Sequence, residues 1–200
     1  MKIFQIGFNR CGTRTLHRYF CANGLKGVHY DKGRLARRIF SNQERGRDLL
    51  AGYEHFDVFT DMEYLQPARY LEAYKLYPQF AARYPDAVFI LNTRDREAWI
   101  RSRLRYRDGS YAARHKAYLK IASDAELAEH WRKEWNLHHA RVTEFFARGD
   151  YRFFVCQIET DLPGLLGRML PEFALDPKTY TVQNQDRRRR TLLSKFIELF

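Results

Sequence analysis

The sequence predicts an α/β domain of three layers, α/β/α, around a central parallel sheet of four to five strands. Two observations predict it. Short apolar runs recur along the chain, and most are followed by a segment whose apolar residues have helical spacing. A glycine-containing loop, Gly7 to Gly12, also stands between the first apolar run and the first helical pattern, where such domains bind ligands.

Lys2 to Gly7 reads as the first buried strand, and Thr13 to Asn23 as a helix with Leu16, Tyr19 and Phe20 on one face. Gly24 and Gly27 bracket a turn before a short strand, Val28 to Tyr30. A charged, mostly helical stretch from Lys32 to Gly52 leads to a third strand, Phe56 to Thr60, which Asp61 closes. Pro67 to Ala82 reads as helical, with a break at Pro78. The clearest strand is Ala87 to Leu91, followed by a helix over about Arg96 to Tyr106 and a turn at Asp108-Gly109-Ser110. A long helix over about Asp124 to Arg148 ends at Gly149-Asp150, and Tyr151 to Cys156 is the last buried strand. A short helix near Leu162 to Leu170 and another from about Arg187 complete the chain.

No repeat or low-complexity linker divides the sequence, so residues 1–200 are expected to form one domain. Hydrophobic content of 45% excludes a disordered chain, and no apolar run approaches the roughly 20 residues of a membrane span. The three cysteines, Cys11, Cys21 and Cys156, form no CxxC pair and suit reduced thiols. With no secretory pattern at the N-terminus, the expected location is cytoplasmic. No Cys/His cluster has metal-ligand spacing. The net charge of +11, mostly arginine, points to anionic ligands. A basic nucleic-acid-binding protein fits the charge but not the patterning, because aromatics are not interleaved with the basic run and no recognition motif appears.

The most informative segment is Gly7-Phe8-Asn9-Arg10-Cys11-Gly12-Thr13-Arg14-Thr15-Leu16. Between a strand and a helix, its backbone N–H groups and the helix dipole converge on one place and favour an anion. Gly12 permits close approach, Thr13 and Thr15 bring hydroxyls, and Arg10 brings charge. Gly7 and Gly12 have the spacing of the nucleotide loop GxxxxGK[ST]. Thr13 stands where the lysine belongs, however, and Arg14 where the magnesium-binding hydroxyl belongs. A P-loop kinase or nucleotide hydrolase is therefore the weaker reading.

Arg10-Cys11-Gly12-Thr13-Arg14-Thr15-Leu16 resembles the sulfotransferase family, whose loop after the first strand has the form [K/R]-x-G-T-x-x-L. Its Gly-Thr-Arg core looks most like the carbohydrate sulfotransferases. A second segment matches as well. The family carries a strand ending in Arg and then a Ser eight residues on, as Arg94 and Ser102 stand here. Tyr84 to Leu91 resembles the family's entry into that strand, and Phe153 to Leu162 its later strand.

The resemblance implies a P-loop NTPase-like sulfotransferase fold. The implied donor is 3′-phosphoadenosine 5′-phosphosulfate (PAPS), the product adenosine 3′,5′-bisphosphate, with no metal required. It implies that Arg10, Cys11, Gly12, Thr13, Arg14 and Thr15 hold the 5′-phosphosulfate, and that Arg94 and Ser102 hold the 3′-phosphate. The acceptor would be a hydroxyl or amine, with carbohydrate favoured. The implied base lies after the first helix, in Gly27-Val28-His29-Tyr30-Asp31. Gly27 replaces the family's Glu, which leaves His29 as first candidate, Asp61 as second and Glu63 as a weaker third. Arg187 and Arg188, in the run Arg187 to Arg190, are candidates to close over the nucleotide.

Overall fold

The computed structural model describes residues 1–159 and 162–181. They contain seven strands and seven α-helices: β1 (Ile3–Gln5), α1 (Thr13–Ala22), β2 (Gly27–His29), α2 (Arg34–Glu44), β3 (Val58–Thr60), β4 (Glu63–Gln66), β5 (Arg69–Glu72), α3 (Tyr77–Arg83), β6 (Val88–Thr93), α4 (Arg96–Arg105), α5 (Ser110–Leu119), α6 (Asp124–Phe146), β7 (Arg152–Gln157) and α7 (Leu162–Met169). Five strands form one parallel sheet in the order β2-β3-β1-β6-β7.

The sheet is apolar on both faces, and alternate residues feed two cores. Phe4 pairs in register with Phe59 and Phe89, and the three rings stack at 5.3 and 5.5 Å, with Phe80 of α3 at 4.4 Å from Phe4. This face is covered by α2, α3 and α6. Ile3, Val58, Val88 and Ile90 point the other way, against Leu16, Tyr19 and Phe20 of α1 and Leu166 of α7. The result is the three-layer α/β/α architecture with five strands in the sheet. From β1 the chain turns toward β2, and from β6 it turns toward β7. The crevice between the C-terminal ends of β1 and β6 is thus a topological switch point, where open α/β sheets bind ligands.

Two expectations need correction. Residues 67–82 do not form a broken helix. β4 and β5 make a hairpin with Glu63 opposite Glu72 and Gln66 opposite Arg69, then a 3₁₀ turn at Ala73–Leu76. Pro67 occupies the first central position of the two-residue turn, where its fixed φ suits it. Pro78 stands in the first turn of α3, where its missing N–H costs no hydrogen bond, so it starts a helix instead of breaking one. The helix expected over 32–52 is confined to α2. It ends as Gly46 turns at φ 61°, and Asn42 donates to the carbonyls of Leu49 and Ala51. Beyond the turn at Asp108–Ser110 the chain forms α5, an additional helix. Among the described residues no helix is long and apolar enough to cross a membrane.

Candidate active site

The loop after β1 is held mostly by uncharged groups. Gly7 lies so close to β6 that a Cβ there would sit 2.1 Å from the Asn92 carbonyl oxygen. Its N–H donates to Asn92 Oδ1 at 3.0 Å. Asn92 Nδ2 donates in turn to the carbonyls of Phe8 (3.1 Å) and Cys11 (2.7 Å). Trp99 Nε1 donates to the Asn9 carbonyl at 3.0 Å. These bonds let the chain turn at Arg10 (φ 63°) and Gly12 (φ 74°) into α1. A left-handed arginine is a costly conformation, of the kind that collects at functional sites. Gly12 offers no side-chain cap, so the N-terminus of α1 keeps its affinity for an anion. Thr13 and Thr15 are buried beside it and Arg14 is exposed. Burial pushes the Cys11 thiol up, so it stays protonated and unreactive.

Arg94 and Ser102 meet the loop through Arg10. Arg10 Nε donates to Ser102 Oγ at 3.1 Å, and Arg94 Nη1 donates to the Arg10 carbonyl at 3.2 Å. The Arg10 guanidinium also lies 4.3 Å from the centre of the Tyr106 ring. Arg94 Nε is 3.3 Å from Glu159 Oε1, yet it is buried without a hydrogen bond, because the direction is wrong for one. Burial lowers the Arg10 pKa most, and the neighbouring Arg94 lowers it further. Two half-buried guanidinium groups thus face one crevice, and among the described residues Glu159 is the carboxylate paired with either of them.

His29 and Asp61 end β2 and β3 at the same edge of the sheet. His29 Nδ1 is 3.0 Å from Thr60 Oγ1, and Nε2 is 3.6 Å from Asp61 Oδ2. Burial, helped by Arg14 and Arg18, pushes His29 down to about 4. Burial pushes Asp61 up to about 6, opposed by Arg10 and Arg14. At neutral pH the imidazole is neutral and the carboxylate mostly ionised, so either can take a proton. Asp61 Oδ1 is buried without a partner.

Behind the loop lies a buried polar network that sequence reasoning missed. Asn9 Nδ2 donates to Glu63 Oε1 (2.6 Å) and to Tyr111 Oη (2.8 Å), and the Tyr111 hydroxyl donates to Glu63 Oε1 (3.0 Å). Arg103 donates to Tyr111 and lies 3.2 Å from His115 Nε2. Burial pushes Glu63 up to about 8, as does the nearby Asp61. Glu63 is occupied in this network and does not face the loop's crevice as a free base. The signal for Asn92 was available: a polar residue directly after the apolar run Ala87 to Leu91. Arg187 and Arg188 lie outside the described residues.

The chain was compared with known families and proteins. No curated protein matches it. A family model described as Sulfotransferase domain matches residues 2–158, from the first strand to the end of the last and across both anion-site segments. The chain therefore belongs to the sulfotransferase domain family, whose chemistry is transfer of a sulfuryl group.

Proposed function

We propose that the protein transfers the sulfuryl group of PAPS to a hydroxyl or amine, with a carbohydrate as the favoured acceptor, and that residues 1–200 act as one domain. The observation that carries this reading is the junction of Arg10, Ser102 and Arg94 at the sheet's switch point. Two cations and a hydroxyl share a crevice with an uncapped helix N-terminus, a set suited to a nucleotide with phosphates at both ends. Arg94 and Ser102 take the 3′-phosphate. The backbone from Cys11 to Arg14 and the hydroxyls of Thr13 and Thr15 take the 5′-phosphosulfate. Arg187 or Arg188 closes over the 3′-phosphate or adenine. The reading places the protein in the cytoplasm.

In the reaction the acceptor oxygen bonds to sulfur as the bond from sulfur to the bridging oxygen breaks, releasing adenosine 3′,5′-bisphosphate. The acceptor proton passes to His29, with Asp61 beside it to balance the imidazolium. Arg10 leaves Ser102 and stabilises the charge that grows on the bridging oxygen.

The test is thermal denaturation with adenosine 3′,5′-bisphosphate in the absence of magnesium, beside Mg-ATP. The bisphosphate should raise the melting temperature by mass action. Equal or greater stabilisation by Mg-ATP would reassign the loop to a kinase-like function.

A further inference from the structure

An open groove of about 720 Å³ runs along the outer edge of β2, beside the anion loop. Its volume is that of a small-molecule site. Arg14 and Arg18 line it from α1, and Arg34 and Arg38 line it from α2. The two helices cover opposite faces of the sheet, so the arginines flank the groove on both sides.

Each pair is spaced i,i+4, which stacks like charges on one helical face. That arrangement is mutually repulsive on an isolated helix. An anion in the groove would relieve the repulsion within each pair. The one carboxylate in the lining, Asp31, is already engaged. It takes Arg34 Nη2 at 2.6 Å and the Tyr53 hydroxyl at 2.6 Å. Among the described residues Arg14 and Arg38 form no ion pair. They belong to opposite helices, so charge is uncompensated on each side.

The groove also reaches the reacting edge. His29 lines it and contacts Asp61 behind, while Arg14 belongs both to the groove and to the first turn of α1. Tyr53 and Phe56, with ring centres 5.9 Å apart, form an aromatic part of the lining on which a flat or ring-shaped molecule can rest.

We infer that this groove is the acceptor site and that it selects a ring-bearing acceptor with an anionic group beside the hydroxyl to be sulfated. The inference rests on the sulfotransferase reading and adds the charge class of the acceptor. The anion is held by Arg38 and Arg14, and the hydroxyl points toward His29.

Pyranine, a pyrene carrying one hydroxyl and three sulfonates, is a fluorescent probe of this chemistry. Its binding to the full chain is read by fluorescence anisotropy, with and without saturating adenosine 3′,5′-bisphosphate. Binding of the bisphosphate is measured separately by calorimetry. One-to-one pyranine binding that persists with the nucleotide is expected. It should weaken about tenfold or more in Arg38→Glu, and much less in Arg141→Glu, a charge-matched reversal at an exposed position of α6. Uncharged 1-hydroxypyrene should bind at least tenfold more weakly than pyranine. Equal loss in both reversals would mean that only overall charge attracts the probe, and would overturn the inference. Displacement of pyranine by the bisphosphate would make the groove part of the nucleotide site and would overturn the inference as well. Absence of pyranine binding while the bisphosphate binds would sink the acceptor inference alone. Failure of the bisphosphate to bind would instead sink the sulfotransferase reading on which it rests.

Discussion

Removing the Asn92 side chain should loosen the anion loop more than removing any residue that faces the ligand. Asn92 is fully buried and makes three hydrogen bonds to loop backbone, from the Gly7 N–H and to the carbonyls of Phe8 and Cys11. Asn92→Ala leaves three buried backbone groups without that partner. At about 1 kcal/mol or more for each, the cost is about 3 kcal/mol. That is a large fraction of the roughly 5–15 kcal/mol by which domains are stable. Asn92→Asp keeps the size but turns two donations into oxygen facing oxygen, and it buries a carboxylate beside an anion site. Urea denaturation and calorimetric titration with adenosine 3′,5′-bisphosphate separate the effects. Asn92→Ala should lose about 3 kcal/mol of stability and bind the nucleotide at least about tenfold more weakly. Asn92→Asp should bind it more weakly still at neutral pH and recover part of the loss as acid neutralises the carboxyl. If Asn92→Ala stays within about 1 kcal/mol of the parent with nucleotide affinity unchanged, the loop is held by something else and the reasoning fails.

Other perturbations divide the site by role. Arg94→Ala should weaken adenosine 3′,5′-bisphosphate by about 2–3 kcal/mol, the scale of a charge-assisted contact. Adenosine 5′-phosphosulfate, which lacks the 3′-phosphate, should be nearly unaffected; equal weakening of both would remove Arg94 from the 3′-phosphate site. Arg10→Ala should lower turnover far more than it weakens the product nucleotide. Parallel losses would mean that its bond to Ser102 reflects a binding role at the 3′-phosphate. His29→Ala should leave nucleotide affinity unchanged and lower turnover by about 10²–10⁴-fold; an active His29→Ala beside an inactive Asp61→Asn would move the base to Asp61. The pH–rate profile should fall on the acid side near pH 6, where the raised Asp61 takes up its proton, and again toward pH 4 as His29 charges. A single limb above pH 7 would contradict both assignments.

The elements legible in the sequence are those whose composition and environment agree. Ala87 to Leu91 is apolar throughout because both faces of β6 are buried, and the helical spacing of Trp131 and Trp135 follows one buried face of α6. The hairpin was not legible, since Leu65, Leu71 and Glu72 in its strands and Ala68 in its turn are good helix formers. The hairpin is set by packing β4 against α2 and α5, which no local window contains. Helix α5 was missed because its buried face is Tyr111, Ala112 and His115, a face with too little apolar contrast to stand out. In the site, motif spacing pointed to Arg10, Arg94 and Ser102 as a set. That Arg10 itself reaches Ser102 depends on a left-handed backbone at Arg10, which residue type does not encode. Glu63, Arg103 and His115 look like surface residues by type, and only the tertiary structure reveals that they form the floor beneath the loop.

That floor explains how three arginines so close together can have different roles. Arg103 is 1% exposed, and its guanidinium carbon lies 4.7 Å from the Trp99 ring and 4.5 Å from the Trp131 ring. Its Nη2 donates to Tyr111, which donates to Glu63, so this end of the guanidinium is engaged inside the protein at the far side of the loop. Arg10 and Arg94 are held differently. Their hydrogen-bond partners are a hydroxyl and a backbone carbonyl, and among the described residues Arg94 also forms an ion pair with Glu159 at 3.3 Å, in which its Nε makes no hydrogen bond. Meanwhile the loop owes its shape to Asn92, Trp99 and Asn9, none of them charged. A loop positioned by neutral donors leaves its cations available, and half-buried cations are stabilised by a ligand that brings negative charge. Arg103 is thus committed to the floor beneath the loop, whereas Arg10 and Arg94 present their guanidinium groups at the switch point, which is where the proposed nucleotide site needs them.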